Sequence, residues 1–528
     1  MMRKIASLIA LALLISSISL CGLAETMVPG TYEDTANSVG GPLTVKVTVT
    51  EDRIDSIEIA ECADTPGIGD AAVSRLIPMM IENQSTNVDV VSGATLTSIF
   101  LKNAVNAALQ EAGAGKDDFN EPVKYAAEAQ ADQEADVVVV GGGLAGMSAA
   151  TEAAGQGLKV ILLEKLAYLG GDSLVSDQGV VNTLHEPVAS AFPEAVASLM
   201  DKGIPIALAD YPGYGENTTI AVEGTGDFDV LYTLVNHMRE LAQRNGTVFM
   251  LDTPATDLIV EDGAVVGVTA QPRGQDSFSI RAKAVILCTG GFSTNGDLVK
   301  EYLPYADGAR KMGLGSNTGD ALEWIKAVDG KTVMLDAADS SFMMANPMTG
   351  AAASFGYDGN NYVNAEGEGI VDDRSYNLGA EAVYKAVGGE KVWNMYAASA
   401  AEGAGMLPFL EKSVHNLTAV YYENMEQVAE AYDMPKLVET LKGRGYDENE
   451  KWYVMQSVSN IYGTYGGIGV DMDSHVLNQN DEIIPGLYAA GEVIGSREYQ
   501  QNGAYAGGLA PAFSIGFVAA RTAAADMK

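Results

Sequence analysis

The chain has 528 residues, of which 47% are hydrophobic, and its 70 acidic against 32 basic residues give a formal net charge of −38. Such a charge repels nucleic acid and anionic lipid, and it disfavours anionic ligands unless a local basic pocket overrides the field. Three cysteines and the scattered His185, His237, His415 and His475, with no CxxC or CxxCH pattern, disfavour zinc, iron–sulfur and haem c centres, so no metal is expected.

Residues 1–24 open with Arg3-Lys4, continue as an apolar run from Ile5 to Leu20 and end in Cys21-Gly22-Leu23-Ala24. A basic start, a short apolar core and small residues at the exit read as a secretory signal, too short for a comfortable membrane span. The expected location is outside the cytoplasmic membrane, secreted or in the cell envelope. Lipid on Cys21 and an uncleaved anchor both stay open.

Residues 25–115 read as a small α+β module. Residues 43–60 alternate apolar and polar side chains around Glu51-Asp52, which predicts a hairpin of half-buried strands. After the turn from Asp64 to Asp70 comes a helical stretch, then "DVVSGATLTS", Asp89 to Ser98, which sets Thr95, Thr97 and Ser98 at the head of another helix. From Ile99 onward, Leu101, Val105, Ala108 and Ala112 share one face of that helix. Residues 116–134, polar and aperiodic, read as a linker. With Cys62 in this module and Cys288 at the end of a later core strand, no disulfide is expected.

From Asp136 to Lys165 the texture changes to a four-valine run, a glycine-rich turn, a small-residue helix and a second apolar strand ending in Glu164. Continuous apolar strands of this kind belong to a parallel sheet buried on both faces. Gly141, Gly143 and Gly146 form G-x-G-x-x-G between strand and helix, a spacing that lets backbone approach a pyrophosphate at a helix N-terminus while the acid takes ribose hydroxyls. Further core strands are predicted at Lys283–Gly291 and Gly486–Glu492. The sheet is therefore interrupted by an insert at 336–460, which divides the nucleotide-binding domain into 135–335 and 461–528. An insert closing on the sheet is where a substrate would sit.

Gly170-Gly171-Asp172-Ser173, Thr289-Gly290-Gly291, Gly491-Glu492 and Gly507-Gly508, in that order after the glycine motif, resemble the turns with which the succinate dehydrogenase and fumarate reductase flavoprotein family surrounds FAD. The resemblance implies an α/β fold: a Rossmann-like FAD-binding domain with an inserted α+β capping domain. It further implies non-covalent FAD held by Gly141, Gly143, Gly146, Glu164, Lys165, Gly171, Ser173, Thr289, Gly290, Gly291, Gly491, Glu492, Gly508 and Leu509. The helix opening at Leu509 would turn its N-terminal amides to the flavin pyrimidine, stabilising the reduced ring. The "DTPGIGD" and "DVVSGATLTS" stretches resemble an FMN-binding domain whose threonine carries FMN through a phosphoester made by a flavin transferase. By position that residue is Thr95, with Asp89 the upstream acid. The resemblance thus implies a relay in which a membrane or extracellular donor reduces FMN, and FAD passes hydride to a small-molecule acceptor.

Departures from the family bear on that acceptor. Where its fumarate reductases carry a carboxylate-binding histidine and arginine, this chain has Ile461 to Gly467 and Gly503 to Gly508, with Tyr462, Tyr465 and Tyr505. The family's proton-relay segment falls on Ala352 to Gly356, and its catalytic arginine near Asn377, with Arg374 three residues earlier. Tyr505 and Arg374 are therefore the candidate catalytic residues, as proton donors. Tyrosine hydroxyls can donate to a ketone oxygen without a charge to neutralise. The expected reaction is flavin-dependent reduction of a carbon–carbon double bond activated by a carbonyl, with a neutral enone favoured over a carboxylate. Arg497 and Tyr499 could restore a charge contact and keep a fumarate- or urocanate-type carboxylate open. The same residues are compatible with a dehydrogenase running in reverse and with a non-catalytic electron carrier.

Overall fold

The computed structural model describes residues 26–38, 41–176, 180–182, 186–210, 218–223, 225, 230–311, 313–345, 352–353, 360–369, 392–403, 407, 410–411, 414, 419–494 and 508–528. They fall into two compact units, one ending at Tyr125 and one beginning at Ala126.

In the first unit β1 (Gly30–Asn37), β2 (Pro42–Val49) and β3 (Ile54–Cys62) form an antiparallel sheet in that order. The pleat puts Leu43, Val45, Val47 and Val49 of β2 on one face, and all four are buried. Helices α1 (Ile68–Asn83) and α2 (Thr95–Glu111) pack on the sheet and on each other. Leu101, Val105, Ala108 and Ala112 are buried, as their helical spacing requires, whereas Ile99 is 40% exposed and stands off that face. Strand β1 has no apolar alternation to announce it. It is held by an unbroken ladder from Gly30 opposite Val49 to Asn37 opposite Pro42, and its charged side chains suit a sheet edge.

The stretch expected as a linker is structured at both ends. The Val123 N–H donates to the Asn87 carbonyl at 2.9 Å, the Val123 carbonyl accepts from Asp89 N–H at 3.1 Å, and Tyr125 N–H donates to the Asp89 carboxylate at 3.2 Å. Backbone pairing of this kind requires no hydrophobic period and so leaves none in the sequence.

The second unit is built on strands β4 (Gln133–Val140), β5 (Val160–Leu163) and β6 (Phe278–Leu287), joined late in the chain, after the long β7 (Trp452–Thr464), by β8 (Ile483–Ala489). Parallel pairing runs β8, β6, β4, β5 and on to Val248–Met250. Strand β4 starts at Gln133, before the apolar run, because Gln133 and Glu134 extend the ladder with Ile280 and Arg281. Val137 to Val140 are buried, packed beneath α3 (Leu144–Gly155) and α4 (Leu509–Asp526). The two helices touch backbone to backbone: a Cβ on Gly516 would lie 2.2 Å from the Ala145 carbonyl oxygen, and Ser148 Oγ donates to the Phe513 carbonyl at 2.7 Å.

Between β6 and β8 the chain builds a second sheet, in which β7 is flanked by Ala338–Ala345 and Val392–Ala397, with Asn360–Val363 beyond the latter. This sheet also takes Arg310–Lys311 as a short strand and continues to Thr464, so it draws on residues to either side of 336–460. Among the described residues no helix is long and apolar enough to cross a membrane.

Candidate functional site

The glycine turn after β4 is dictated by contact. Gly141 has φ 106°, and a Cβ there would lie 2.2 Å from the Cys288 carbonyl oxygen; one on Gly146 would lie 1.8 Å from the oxygen of Gly141. Gly143 differs, since a Cβ at the head of α3 would meet nothing nearer than the Gly170 carbonyl at 4.0 Å. No protein atom demands glycine there, which leaves room for a ligand at a helix N-terminus.

Glu164 closes β5 and is buried. Its Oε2 accepts from Gly142 N–H at 2.6 Å and its Oε1 from Leu166 N–H at 2.7 Å. Burial raises its pKa, against the lowering effect of those two amides. Both oxygens thus brace the turn, with lone pairs left for ribose hydroxyls. Lys165 is engaged elsewhere: its ammonium donates to Thr318 Oγ1 at 2.7 Å and to Asp320 Oδ2 at 2.8 Å.

Beyond the turn the site converges on one amide. Asn317 Nδ2 donates to Asp172 Oδ2 at 2.9 Å and to Glu492 Oε2 at 3.0 Å, linking the Gly170–Ser173 turn to the one after β8. The second Glu492 oxygen accepts from Thr464 N–H at 2.8 Å, so the end of β7 is tied to the same carboxylate. Asp172 Oδ1 accepts from Leu314 N–H at 2.8 Å, and burial raises its pKa more than that bond and Lys165 lower it. Gly291 lets the junction close, because a Cβ would fall 2.2 Å from both Glu492 Oε1 and Thr464 Oγ1 and would displace one of these side chains. Gly290, Gly291, Gly319, Gly466 and Gly467 line one narrow crevice beside this junction. Sequence reasoning misses Asn317 and Thr464; their roles arise where separate segments meet, and no spacing motif marks them.

Thr289 lies between β6 and this junction. Its hydroxyl is buried without a hydrogen-bond partner among the described residues. Such a group calls for a polar ligand, and with the open space at Gly143 it fits a dinucleotide laid along the turns. Ser173 donates to the Gly170 carbonyl, and Gly491 has φ 83° with its would-be Cβ 2.8 Å from that of Ala145. Gly508 caps α4 and Leu509 begins it. Tyr465 is buried and bonds through its N–H to the Ala337 carbonyl. Tyr505 and Arg374, with Arg497 and Tyr499, lie outside the described residues.

In the first unit the hydroxyls of "SGATLTS" divide by burial. Thr97 Oγ1 donates to Asp64 Oδ2 at 2.6 Å, and Ser98 Oγ donates to the Ala94 carbonyl at 2.7 Å while accepting from Val91 N–H. Thr95, the first residue of α2, is exposed, and its hydroxyl has no hydrogen bond among the described residues. Beside it Leu96 is 53% exposed, and with Ile99 it offers apolar surface next to a reachable hydroxyl, which suits a flavin ring on a phosphate tether.

Compared with known proteins, residues 136–205 and 193–508 match the FAD binding domain, and residues 39–110 match the FMN-binding domain. The chain is 26% identical to urocanate reductase of Eggerthella lenta, with 88% of each chain covered. It is 27% identical to vinyl phenol reductase of Lactiplantibacillus plantarum, over 67% of this chain and 89% of that one. In fold it is similar to the open conformation of a flavocytochrome c3 fumarate reductase, with a TM-score of 0.60 at 21% identity, covering 74% of this chain and 78% of that one.

Proposed function

The chain belongs to the FAD binding domain family, carries an FMN-binding domain ahead of it and is an oxidoreductase; from that premise we propose that it is an exported two-flavin reductase acting on an activated carbon–carbon double bond. One observation carries the reading: the Glu492 carboxylate holds the end of β7, and so the inserted sheet, against the Gly290–Gly291 turn, so an acceptor under that sheet meets the turn where FAD belongs. Relatives named for reducing urocanate and vinyl phenol agree with an alkene acceptor.

Bound there, FAD supplies hydride chemistry. The N-terminal amides of α3 and the space at Gly143 would receive the pyrophosphate, the free lone pairs of Glu164 would take ribose hydroxyls, and the Thr289 hydroxyl would find a partner on the cofactor. Thr95, whose exposed hydroxyl a flavin transferase could reach, would carry FMN as a phosphoester, with a membrane or extracellular donor as the source of its electrons. Residues 1–24 direct export. Tyr505 and Arg374 are the proposed proton donors to the carbon next to the carbonyl.

The family's carboxylate-binding histidine and arginine are absent from 461–467 and 503–508, which favours a neutral enone as acceptor. The test is anaerobic: photoreduce the flavinylated protein and follow the flavin absorbance after adding fumarate, acrylate or 2-cyclohexen-1-one. Fast reoxidation by the enone alone is expected. Fast reoxidation by an acrylate alone moves the acceptor to the carboxylates, and reoxidation by none of them overturns the reductase reading.

A further inference from the structure

The segment between Glu164 and Gly170 is fixed at both ends against the glycine turn. Leu166 N–H donates to the Glu164 carboxylate at 2.7 Å, and the Leu166 carbonyl accepts from Asp252 N–H at 3.0 Å. At the other end Gly170 N–H donates to the Gly142 carbonyl at 2.8 Å, and Gly170 pairs as a bridge with Gly143. Leu169 packs so closely over the turn that a Cβ on Gly142 would lie 2.5 Å from its Cδ2. Tyr168 stands on this segment, two residues from the bridge to Gly143. It is 5% exposed, and its hydroxyl is buried with no hydrogen-bond partner among the described residues. Burial, and then the charges of Glu164 and Asp172, push its pKa up, so the phenol keeps its proton. A buried O–H without an acceptor is costly, and a ligand oxygen would relieve it.

The surroundings say which oxygen. A dinucleotide brings a doubly negative pyrophosphate to the space at Gly143 and the head of α3, and here it meets a wall that already carries Glu164 and Asp172. Such a group needs donors. Lys165 is the cation whose charge reaches both carboxylates, but its ammonium is held by Thr318 and Asp320. Ser173 spends its hydroxyl proton on the Gly170 carbonyl. The amides of α3 are joined instead by two buried hydroxyls without partners, Thr289 and Tyr168, and Tyr168 is the one on the segment paired with Gly143. A phenol suits the place, because it donates a proton without adding a charge that the neighbouring carboxylates would capture.

We propose that the Tyr168 hydroxyl donates a hydrogen bond to a pyrophosphate oxygen of FAD, so that the diphosphate is held by helix amides and neutral hydroxyls rather than by a cation. The inference rests on the placement of the pyrophosphate at Gly143 given above and is independent of the acceptor.

The test compares the full-length flavinylated protein with Tyr168→Phe, which removes the hydroxyl and keeps the ring. FAD should bind the variant about 10- to 100-fold more weakly, as expected for one hydrogen bond to a charged oxygen. In phosphorus NMR the two pyrophosphate resonances of bound FAD should move, and the FMN resonance should stay in place. Freed of FAD, the variant should melt no lower than the wild type, because the hydroxyl it lacks has no protein partner to lose. A clear drop in that melting temperature would give the hydroxyl a protein partner and overturn the assignment. Weaker binding with unmoved pyrophosphate resonances would put the contact elsewhere on the cofactor, and affinity within about twofold of the wild type would remove the contact altogether; either result overturns the proposal. If the pyrophosphate resonances of FAD do not change when it binds the wild type, the placement at Gly143 falls, and the role of Tyr168 falls with it.

Discussion

The two units treat their functional side chains in opposite ways. In the first, the structural work of the "SGATLTS" segment goes to Thr97 and Ser98, which are buried and bonded, and Thr95 is left exposed at the helix head. In the second, Glu164 and Glu492, the carboxylates proposed to meet the cofactor, are also ties of the fold: Glu164 braces the glycine turn, and Glu492 shares Asn317 with Asp172. Chemistry and stability are thus separable at the FMN module and coupled at the FAD site. A flavin attached by a covalent bond needs no pocket to retain it, whereas one held by surface contact needs turns in fixed places.

Substitutions can break that contrast. The largest effect is expected from Gly146→Ala, whose methyl would press on the Gly141 carbonyl; overpacking of this severity against backbone costs about 3 kcal/mol or more and should abolish FAD retention. Retention of FAD with an unchanged melting temperature would show that the turn can yield. Glu492→Gln keeps an acceptor for Thr464 N–H but sets an amide against the Asn317 amide, so denaturant unfolding should show a loss of about 1–3 kcal/mol together with weaker FAD binding. A loss of FAD with no loss of stability would uncouple the two roles.

Thr97→Val removes a donor from Asp64 and should destabilise the first unit by about 1–2 kcal/mol while FMN still attaches; full stability would mean that Asp64 is satisfied without it. A smaller, pH-dependent effect is expected at the clip that His475 forms with the C-terminal helix. His475 bonds Asp471 at 2.8 Å and Asp526 at 2.9 Å; burial alone would lower its pKa, but the two carboxylates outweigh it and raise the value. A raised folded-state pKa adds stability below the ordinary histidine pKa and loses it as pH rises through the folded value. The advantage of the wild type over His475→Gln, about 1 kcal/mol at most, should therefore shrink from mildly acidic to alkaline pH in melting curves. An advantage constant with pH would make this clip a matter of packing. The smallest change in stability, within about 0.5 kcal/mol, is expected for Thr95→Val, which should nevertheless lose the FMN mass when co-expressed with a flavin transferase. FMN retained by that variant would move the attachment elsewhere.

Much of the fold is legible in the sequence where local rules suffice. The four-valine strand, the glycine turn and the small-residue helix carry their periods and spacing within 30 residues, and the hydroxyls of residues 95–98 announce a helix start. What escapes is set by partners far along the chain. Strand β1 exists because β2 offers it a ladder, and residues 119–125 dock by backbone bonds that any side chain allows. Asn317 owes its role to Asp172 and Glu492, which lie 145 and 175 residues away.

Electrons are proposed to enter at FMN and to leave through FAD to an alkene. The most direct test is an anaerobic experiment in which the flavinylated protein is fully reduced, freed of reductant and mixed with an alkene that it reduces, with flavin absorbance and saturated product followed together. Both flavins are expected to reoxidise and product to match their sum, with about half as much from Thr95→Val. Product equal to FAD alone, with FMN left reduced, would contradict it.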